Sequence, residues 1–231
     1  KVIIDGAEKL ITCAGGSNHS EADALADGMR RLESVKQRIG GIKTQKGSDY
    51  EGDIREEPLN CLDSRNIITR NRYGAEVLNT TSCMFIDIDE PVLRIWQIFK
   101  RLKTREQKKK AILKFLDSRL KKADLKGYGI RIYETHSGIR VILDGEAMDP
   151  RSRDARKLLK SFKADSLYVT LCGKQNCYRA RLTPKPHRIK MSTIRLRYPY
   201  EVSDLELIKT WTIEYEKKSR NYASCRLINV L

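Results

Sequence analysis

Residues 82–90 read Ser-Cys-Met-Phe-Ile-Asp-Ile-Asp-Glu, and this apolar run ending in acids decides how the rest of the chain is interpreted. Alternate side chains of a β-strand share one face of the strand. Asp87 and Asp89 therefore share one face of the predicted strand, and Ile86 and Ile88 share the apolar face. Two carboxylates about 6–7 Å apart on a buried strand repel each other unless a cation lies between them.

The paired acids are typical of a magnesium or manganese site. Both ions prefer carboxylate oxygens together with substrate phosphates, and two such ions can align the attacking and leaving oxygens of a phosphoryl transfer. A structural alternative stays open, in which the acids interact with the positive end of a helix that begins at Pro91. Asp144 and Asp165 are both candidates for a third acid at this centre.

A second motif follows at residues 129–144. Residues 129–133 and 139–144 predict two strands joined by a hairpin turn that contains Ser137 and Gly138. Such a small turn allows backbone amides to approach a phosphate, and Arg140 on the next strand could add a bidentate contact.

The third motif is basic and covers residues 178–197, where seven Lys or Arg residues occur without any acid. Strand periodicity places Arg179 and Arg181 on one face, and two prolines restrict where Lys185 and His187 can lie. The segment predicts a phosphate-binding surface. The alternative is a basic edge strand that discourages aggregation.

The overall charge agrees with a polyanionic partner. The 231 residues include 46 Lys and Arg against 30 Asp and Glu, a formal net charge of +16. This balance favours nucleic acid over a membrane surface, and no run approaches the roughly 18 apolar residues of a membrane span. A run with seven cations at residues 100–110 is either a solvated helix face or a contact for a phosphate backbone. The candidate nucleic-acid-binding residues are Lys100, Arg101, Lys108, Lys109, Arg179 and Arg188.

We expect the chain to divide into an N-terminal helical and loop segment, residues 1–65, and a mixed α/β catalytic domain, residues 66–231. The first contains a predicted helix at 20–39 followed by a loop. The second has further predicted helices at 92–122, 152–162 and 203–217, and strands at 167–171, 178–182, 189–197 and 226–231. We therefore expect an α+β fold with a mixed, largely antiparallel sheet and packed helices. Six scattered cysteines favour an intracellular compartment, cytoplasmic or, in a eukaryote, nuclear.

The order of these motifs resembles the archaeo-eukaryotic primase superfamily, the primase-polymerases, over residues 80–190. That family has an apolar strand with an Asp-x-Asp motif, then a Ser-Gly turn followed by a His, then a strand with a third acid. Residues 85–89 look like the first motif, residues 137–140 like the second, and Asp165 like the third acid. The resemblance implies catalytic metal ligands at Asp87, Asp89 and Asp165, and nucleotide-binding roles for Ser137, Gly138, Arg140, Arg181, Lys185 and His187.

The resemblance implies a metal-dependent nucleotidyltransferase that uses Mg²⁺ or Mn²⁺, nucleoside triphosphates and nucleic acid. Arg140 stands near the position where the family has its nucleotide-binding His. That difference favours an alternative, a non-catalytic nucleic-acid-binding module on a primase-like fold. A metal-dependent nuclease or phosphatase is the third possibility, since short Asp-x-Asp strands occur in other phosphoryl-transfer enzymes.

Overall fold

The structure, a computed structural model, describes residues 2–4, 7–13, 15, 20–41, 54–90, 104–195 and 198–231. The chain forms two compact units, Lys1–Arg55 and Glu56–Leu231. In the smaller unit, strands β1 (Val2–Ile4) and β2 (Ala7–Lys9) form an antiparallel pair, and helix α1 spans Glu21–Ile39.

Helix α1 confirms the helix predicted at the N-terminal end of the chain. The Ser20 hydroxyl accepts a hydrogen bond from the Asp23 backbone N–H at 3.1 Å, which satisfies one free amide of the first turn. The helix ends at Gly40, whose N–H donates to the carbonyl of Lys36.

The larger unit is built from eight described strands and four described α-helices. The strands are β3 (Glu57–Asp63), β4 (Asn66–Arg70), β5 (Glu76–Thr80), β6 (Cys83–Asp89), β7 (Gly129–Thr135), β8 (Gly138–Asp144), β9 (Tyr178–Arg181) and β10 (Cys225–Val230). The helices are α2 (Arg105–Leu120), α3 (Arg153–Ser161), α4 (Ser166–Gln175) and α5 (Leu205–Ser219), with short 3-10 turns at Pro186–Ile189 and Val202–Asp204.

Two four-stranded sheets organise this unit. One has the order β10-β7-β8-β6 and the other the order β3-β4-β5-β9, and every strand pair between described residues is antiparallel. The α+β class predicted from the sequence is confirmed, but the single mixed sheet is replaced by two antiparallel ones. Strand β3 lies in the part of the chain that the sequence analysis assigned to the N-terminal segment, and it pairs with β4.

Strand β6 lies at the centre of the apolar core. Met84 and Ile86 have no exposed surface, and on the paired strand β8 Val141 and Leu143 are equally buried. Leu116 of α2 packs into the same cluster. This burial fixes the register of β6, because a shift by one residue would turn its aliphatic side chains away from the core. The face that carries Asp87 and Asp89 is fixed with it.

Two predicted strands prove to be other structures. Residues 167–171 belong to helix α4, because Asp165 accepts a hydrogen bond from the Tyr168 N–H at 2.8 Å and so caps the helix. Helical spacing then buries Val169 and Cys172 on one side. Residues 189–197 do not form a strand over their described part: a 3-10 turn ends at Ile189, and Lys190 has a left-handed backbone with φ of 55°.

Candidate functional site

Asp87 and Arg140 form a sheltered charged pair at the predicted metal centre. They lie directly opposite each other on β6 and β8. The guanidinium Nε is 2.6 Å from one carboxylate oxygen of Asp87, and Nη2 is 2.7 Å from the other. The side chains of Arg140 and Asp87 are only 12% and 30% exposed. Both oxygens of the first predicted metal ligand are therefore bound by an arginine on the neighbouring strand.

The other two predicted acids lie close to this pair. Asp165 stands at the N-terminus of α4, where its backbone N–H donates to the Asp87 carbonyl at 3.3 Å. Partial burial, together with the charges of Asp165 and Asp87, raises the pKa of Asp89. The structure thus brings Asp87, Asp89 and Asp165 into one electrostatically coupled group at the end of β6.

Asp144, the other candidate for the third acid, lies elsewhere. It is opposite Cys83 in the β6–β8 register, at the other end of β6 from Asp89. Its carboxylate accepts a hydrogen bond from Arg131 at 2.7 Å in an exposed ion pair. Asp144 therefore does not belong to the candidate site.

Four basic side chains surround the acids. Arg140 donates through Nη1 to the carbonyl of Arg181 at 3.5 Å, which ties β8 to β9. Burial and the charges of Arg188 and Arg140 lower the pKa of Arg181. Burial and the charges of Arg181 and Arg188 likewise lower the pKa of Lys185, while Asp89 opposes that change. Arg181, Lys185 and Arg188, here called the basic cluster, repel one another, so an anion bound among them would be favoured.

Arg188 links the basic cluster to the Ser-Gly turn and has a buried donor without an acceptor among the described residues. Its Nη2 donates to the Ser137 hydroxyl at 3.3 Å, so the basic cluster reaches the Ser-Gly turn. Its Nε is buried and has no hydrogen-bond acceptor among the described residues. A buried donor without an acceptor is unfavourable, and a phosphate oxygen would satisfy it.

The segment that carries the basic cluster is held by helix α5. The fully buried Tyr215 hydroxyl donates to the Pro184 carbonyl at 2.6 Å and lies 2.8 Å from the Thr183 hydroxyl. Thr183 in turn accepts a hydrogen bond from the Glu76 N–H of β5 at 2.8 Å. These contacts fix the chain immediately before Lys185.

The Ser-Gly turn is shaped by strand packing. Ser137 accepts a hydrogen bond from the Glu90 N–H through its carbonyl at 2.7 Å. Gly138 lies opposite Asp89 in the register, and a Cβ at this position would be 2.0 Å from the carbonyl oxygen of Ile88. Gly138 is therefore required for the close approach of β6 and β8, a role that the sequence analysis did not predict.

The predicted nucleic-acid contacts fall into separate places. Lys108 and Lys109 lie on α2, where Lys109 forms an ion pair with Glu134. Arg179 pairs with Glu56 and also donates to Gln175, so it is engaged within the fold. Lys100 and Arg101 lie outside the described residues, and His187 is exposed in the 3-10 turn beside Arg188.

His136 connects the basic cluster electrostatically to helix α2. Burial, followed by the charges of Arg188, Arg105 and Lys109, lowers the pKa of His136. His136 is therefore within electrostatic range of Arg188 in the 3-10 turn and of Arg105 and Lys109 on α2. Cations of the 3-10 turn and of α2 therefore both act on His136, and Arg105 and Lys109 of α2 are also paired with Glu90 and Glu134.

Tyr168 and Tyr215 are residues of the site that the sequence analysis missed. Burial, the Cys172 thiol and the Asp87 carboxylate raise the pKa of Tyr168, and Tyr168 acts in turn on Arg140. Its hydroxyl is buried beside the Cys172 thiol. The available signal was weak: Tyr168 lies three residues after Asp165, but that spacing has meaning only on a helix.

The carboxylates at the end of β6 supply part of what a divalent metal requires. Mg²⁺ and Mn²⁺ bind hard oxygen ligands, and Asp89 and Asp165 supply such oxygens beside each other. In the described ranges, no three His, Cys, Asp or Glu side chains form a ready set of metal ligands. The donor chemistry fits a magnesium or manganese ion at Asp89 and Asp165, whereas Asp87 is shared with Arg140.

We expect the Asp87–Arg140 pair to stabilise the larger unit. Asp87→Ala leaves a sheltered guanidinium without its partner, and we expect a loss of about 2 kcal/mol in the free energy of unfolding. The matched control is Asp144→Ala, which removes the exposed partner of Arg131 and should cost at most about 1 kcal/mol. Urea denaturation followed by circular dichroism measures both. Equal losses in the two variants would contradict a special role for the sheltered pair.

Comparisons with protein-family models, curated proteins and solved structures found no match to this chain. Within the part of the chain that the structure describes, no helix combines the length and apolar character needed to cross a membrane.

Proposed function

We propose that this protein is a metal-dependent nucleotidyltransferase of primase-polymerase type that acts on nucleic acid with nucleoside triphosphates. One observation carries the proposal: the acids at the end of β6 lie next to the basic cluster, because Arg140 binds both oxygens of Asp87 and also donates to the Arg181 carbonyl at 3.5 Å. Nucleotidyl transfer needs both kinds of charge together, because a triphosphate requires cations and its metal requires carboxylates.

In this proposal the site residues form two groups, the acids that would hold the metal and the cations that would bind the triphosphate. Asp89 and Asp165 would hold Mg²⁺ or Mn²⁺, and such an ion stabilises negative charge on phosphoryl oxygens. The basic cluster would bind the triphosphate, with the Arg188 Nε donating to a phosphate oxygen. The Ser137 hydroxyl, already 3.3 Å from Arg188, lies where it would contact the same group.

The chain order around the site is compatible with this proposal. Among the described elements, β6, α2, β7, β8, α3–α4 and β9 follow one another along the chain, and β9 belongs to the second sheet, where it pairs with β5. Strand β9 also lies against β6. The first and last strands of this succession therefore carry the acids and Arg181 side by side.

The nucleic-acid strand would bind across the region between Arg188 and α2. His136 and Arg105 lie along this path, and the chain as a whole carries a net charge of +16. Contacts of this kind are made to phosphates, so affinity should fall steeply with salt.

A second candidate is a nucleic-acid-binding module without turnover. The bidentate pair between Arg140 and Asp87 favours it, because an arginine already neutralises the acid that the resemblance assigns to metal binding. In that case the basic cluster binds phosphates and the acids serve the fold.

The first test measures binding of a fluorescent nucleoside triphosphate, with and without Mn²⁺. We expect binding that Mn²⁺ strengthens and that Lys185→Gln weakens about tenfold, the effect of one lost charged hydrogen bond. Lys122→Gln is the control, since it removes the same charge from an exposed turn after α2 and should leave affinity unchanged.

The outcomes separate the candidates. Triphosphate binding strengthened by Mn²⁺, followed by incorporation into a labelled primer, supports nucleotidyl transfer. Salt-sensitive binding of nucleic acid without triphosphate binding supports the module. Metal-dependent loss of nucleic acid or release of phosphate would instead indicate a nuclease or phosphatase. Equal effects of Lys185→Gln and Lys122→Gln would remove the basic cluster from the mechanism.

A further inference from the structure

Arg140 is fixed at three points. Its Nε and Nη2 bind the two oxygens of Asp87, and its Nη1 reaches the carbonyl of Arg181. Its guanidinium carbon also lies 5.8 Å from the centre of the Phe85 ring, on the same face of β6 as Asp87. The arginine is therefore part of the fold around Asp87.

Strand β8 places an arginine opposite Asp87 but no side chain opposite the neighbouring acid, Asp89. Asp89 lies opposite Gly138, which has no side chain and no room for one. Strand β8 thus supplies a cation to Asp87 and none to Asp89. Asp89 is left at the same end of β6 as Asp165, whose backbone N–H donates to the Asp87 carbonyl at 3.3 Å. Of these two acids on one face of β6, Asp87 has both oxygens bound by an arginine of β8, and Asp89 has no such partner on that strand.

We propose that Arg140 is a positioning residue that takes the place of a divalent cation at Asp87. A guanidinium bound to both oxygens offsets the charge of the carboxylate and occupies one lone pair on each oxygen, so a metal ion gains little by binding there. Metal binding is then confined to Asp89 and Asp165, and the chain holds one divalent ion where the paired acids alone suggest two. The metal at Asp89 rests on the proposed function, whereas the exclusion of metal from Asp87 rests on the ion pair.

The test counts Mn²⁺ bound to the full chain, using the electron paramagnetic resonance signal of free Mn²⁺. We expect at most one ion per wild-type chain. Arg140→Gln frees Asp87 and should add one ion or tighten Mn²⁺ binding about tenfold. Arg140→Lys keeps a cation at this position and should give no gain. The double variant Asp87→Asn with Arg140→Gln removes the freed carboxylate and should also give none.

Folding is followed in the same samples, because Arg140→Gln breaks a sheltered ion pair. If this variant is unfolded without metal, Mn²⁺ should raise its thermal midpoint and should not raise that of the double variant. Such a difference supports the proposal as directly as an additional bound ion.

Several results would overturn the proposal. They are two Mn²⁺ ions per wild-type chain, an Arg140→Gln variant that neither binds more Mn²⁺ nor is stabilised by it, or an equal gain in Arg140→Lys. Failure of the proposed function is read separately, from the absence of triphosphate binding by the wild type. Arg140→Gln can still gain Mn²⁺ in that case, so the two failures are distinguishable.

Discussion

Gly138→Ala is expected to lower the free energy of unfolding of the larger unit by about 3 kcal/mol, the upper part of the usual range for overpacking. The added Cβ would lie 2.0 Å from the Ile88 carbonyl oxygen and 3.0 Å from the Asp89 Cα. Both are backbone atoms of β6, so no side chain can rotate to make room. The strands must separate at the position where Asp89 leaves the core.

Gly129→Ala is the matched control in the same sheet. Gly129 begins β7, and a Cβ there would meet the nearest atoms, those of Asp144, at 3.7 Å, an ordinary van der Waals distance. We expect no loss of stability, and a slight gain because alanine restricts the unfolded chain. Urea denaturation of both variants measures the difference. A Gly138→Ala protein as stable as Gly129→Ala would show that β6 and β8 can separate without penalty.

The sequence predicts β6 and the β7–β8 hairpin well because local pattern and burial agree there. Aliphatic residues of β6 such as Ile86 are fully buried, and the predicted turn lies between two strands that pair as neighbours. The second sheet is different. Strand β5 pairs with β9, which follows it by about 100 residues, and no local pattern encodes that pairing.

The sequence predicts Asp165 as a candidate site residue, but it also predicts a strand after Asp165 where the structure has helix α4. The β-branched and aromatic residues after it have strand propensity, yet the carboxylate caps a helix and burial on one helical side outweighs that propensity. The Asp87–Arg140 pair could not be predicted either. It depends on the register between two strands 53 residues apart, and a shift of one residue would place Arg140 on the opposite face.

Asp89→Asn is expected to reduce metal-dependent nucleotide incorporation by about 100-fold or more, comparable to the removal of one key charge-stabilising group from an active site. Asparagine keeps the shape of the side chain but lacks the negative charge that would hold a divalent ion. The assay is extension of a labelled primer with nucleoside triphosphates and Mn²⁺. Asp144→Asn, at the other end of β6, is the control and should retain full incorporation.

Although Asp89→Asn should lower activity, we do not expect it to lower the free energy of unfolding. Burial and the charges of Asp165 and Asp87 raise the pKa of Asp89 in the folded protein, so its ionised form destabilises the fold above that pKa. Asp89→Asn should therefore be at least as stable as the wild type at neutral pH. The difference should shrink as the pH falls through the raised pKa of Asp89 and the wild-type carboxyl becomes protonated.

A variant that is inactive but as stable as the wild type identifies a residue kept for function. Replacing an acid that stabilises the fold would lower the free energy of unfolding. Full incorporation by Asp89→Asn would remove this acid from the mechanism. A marked loss of stability would assign Asp89 to the fold and leave the basic cluster as the functional part of the site.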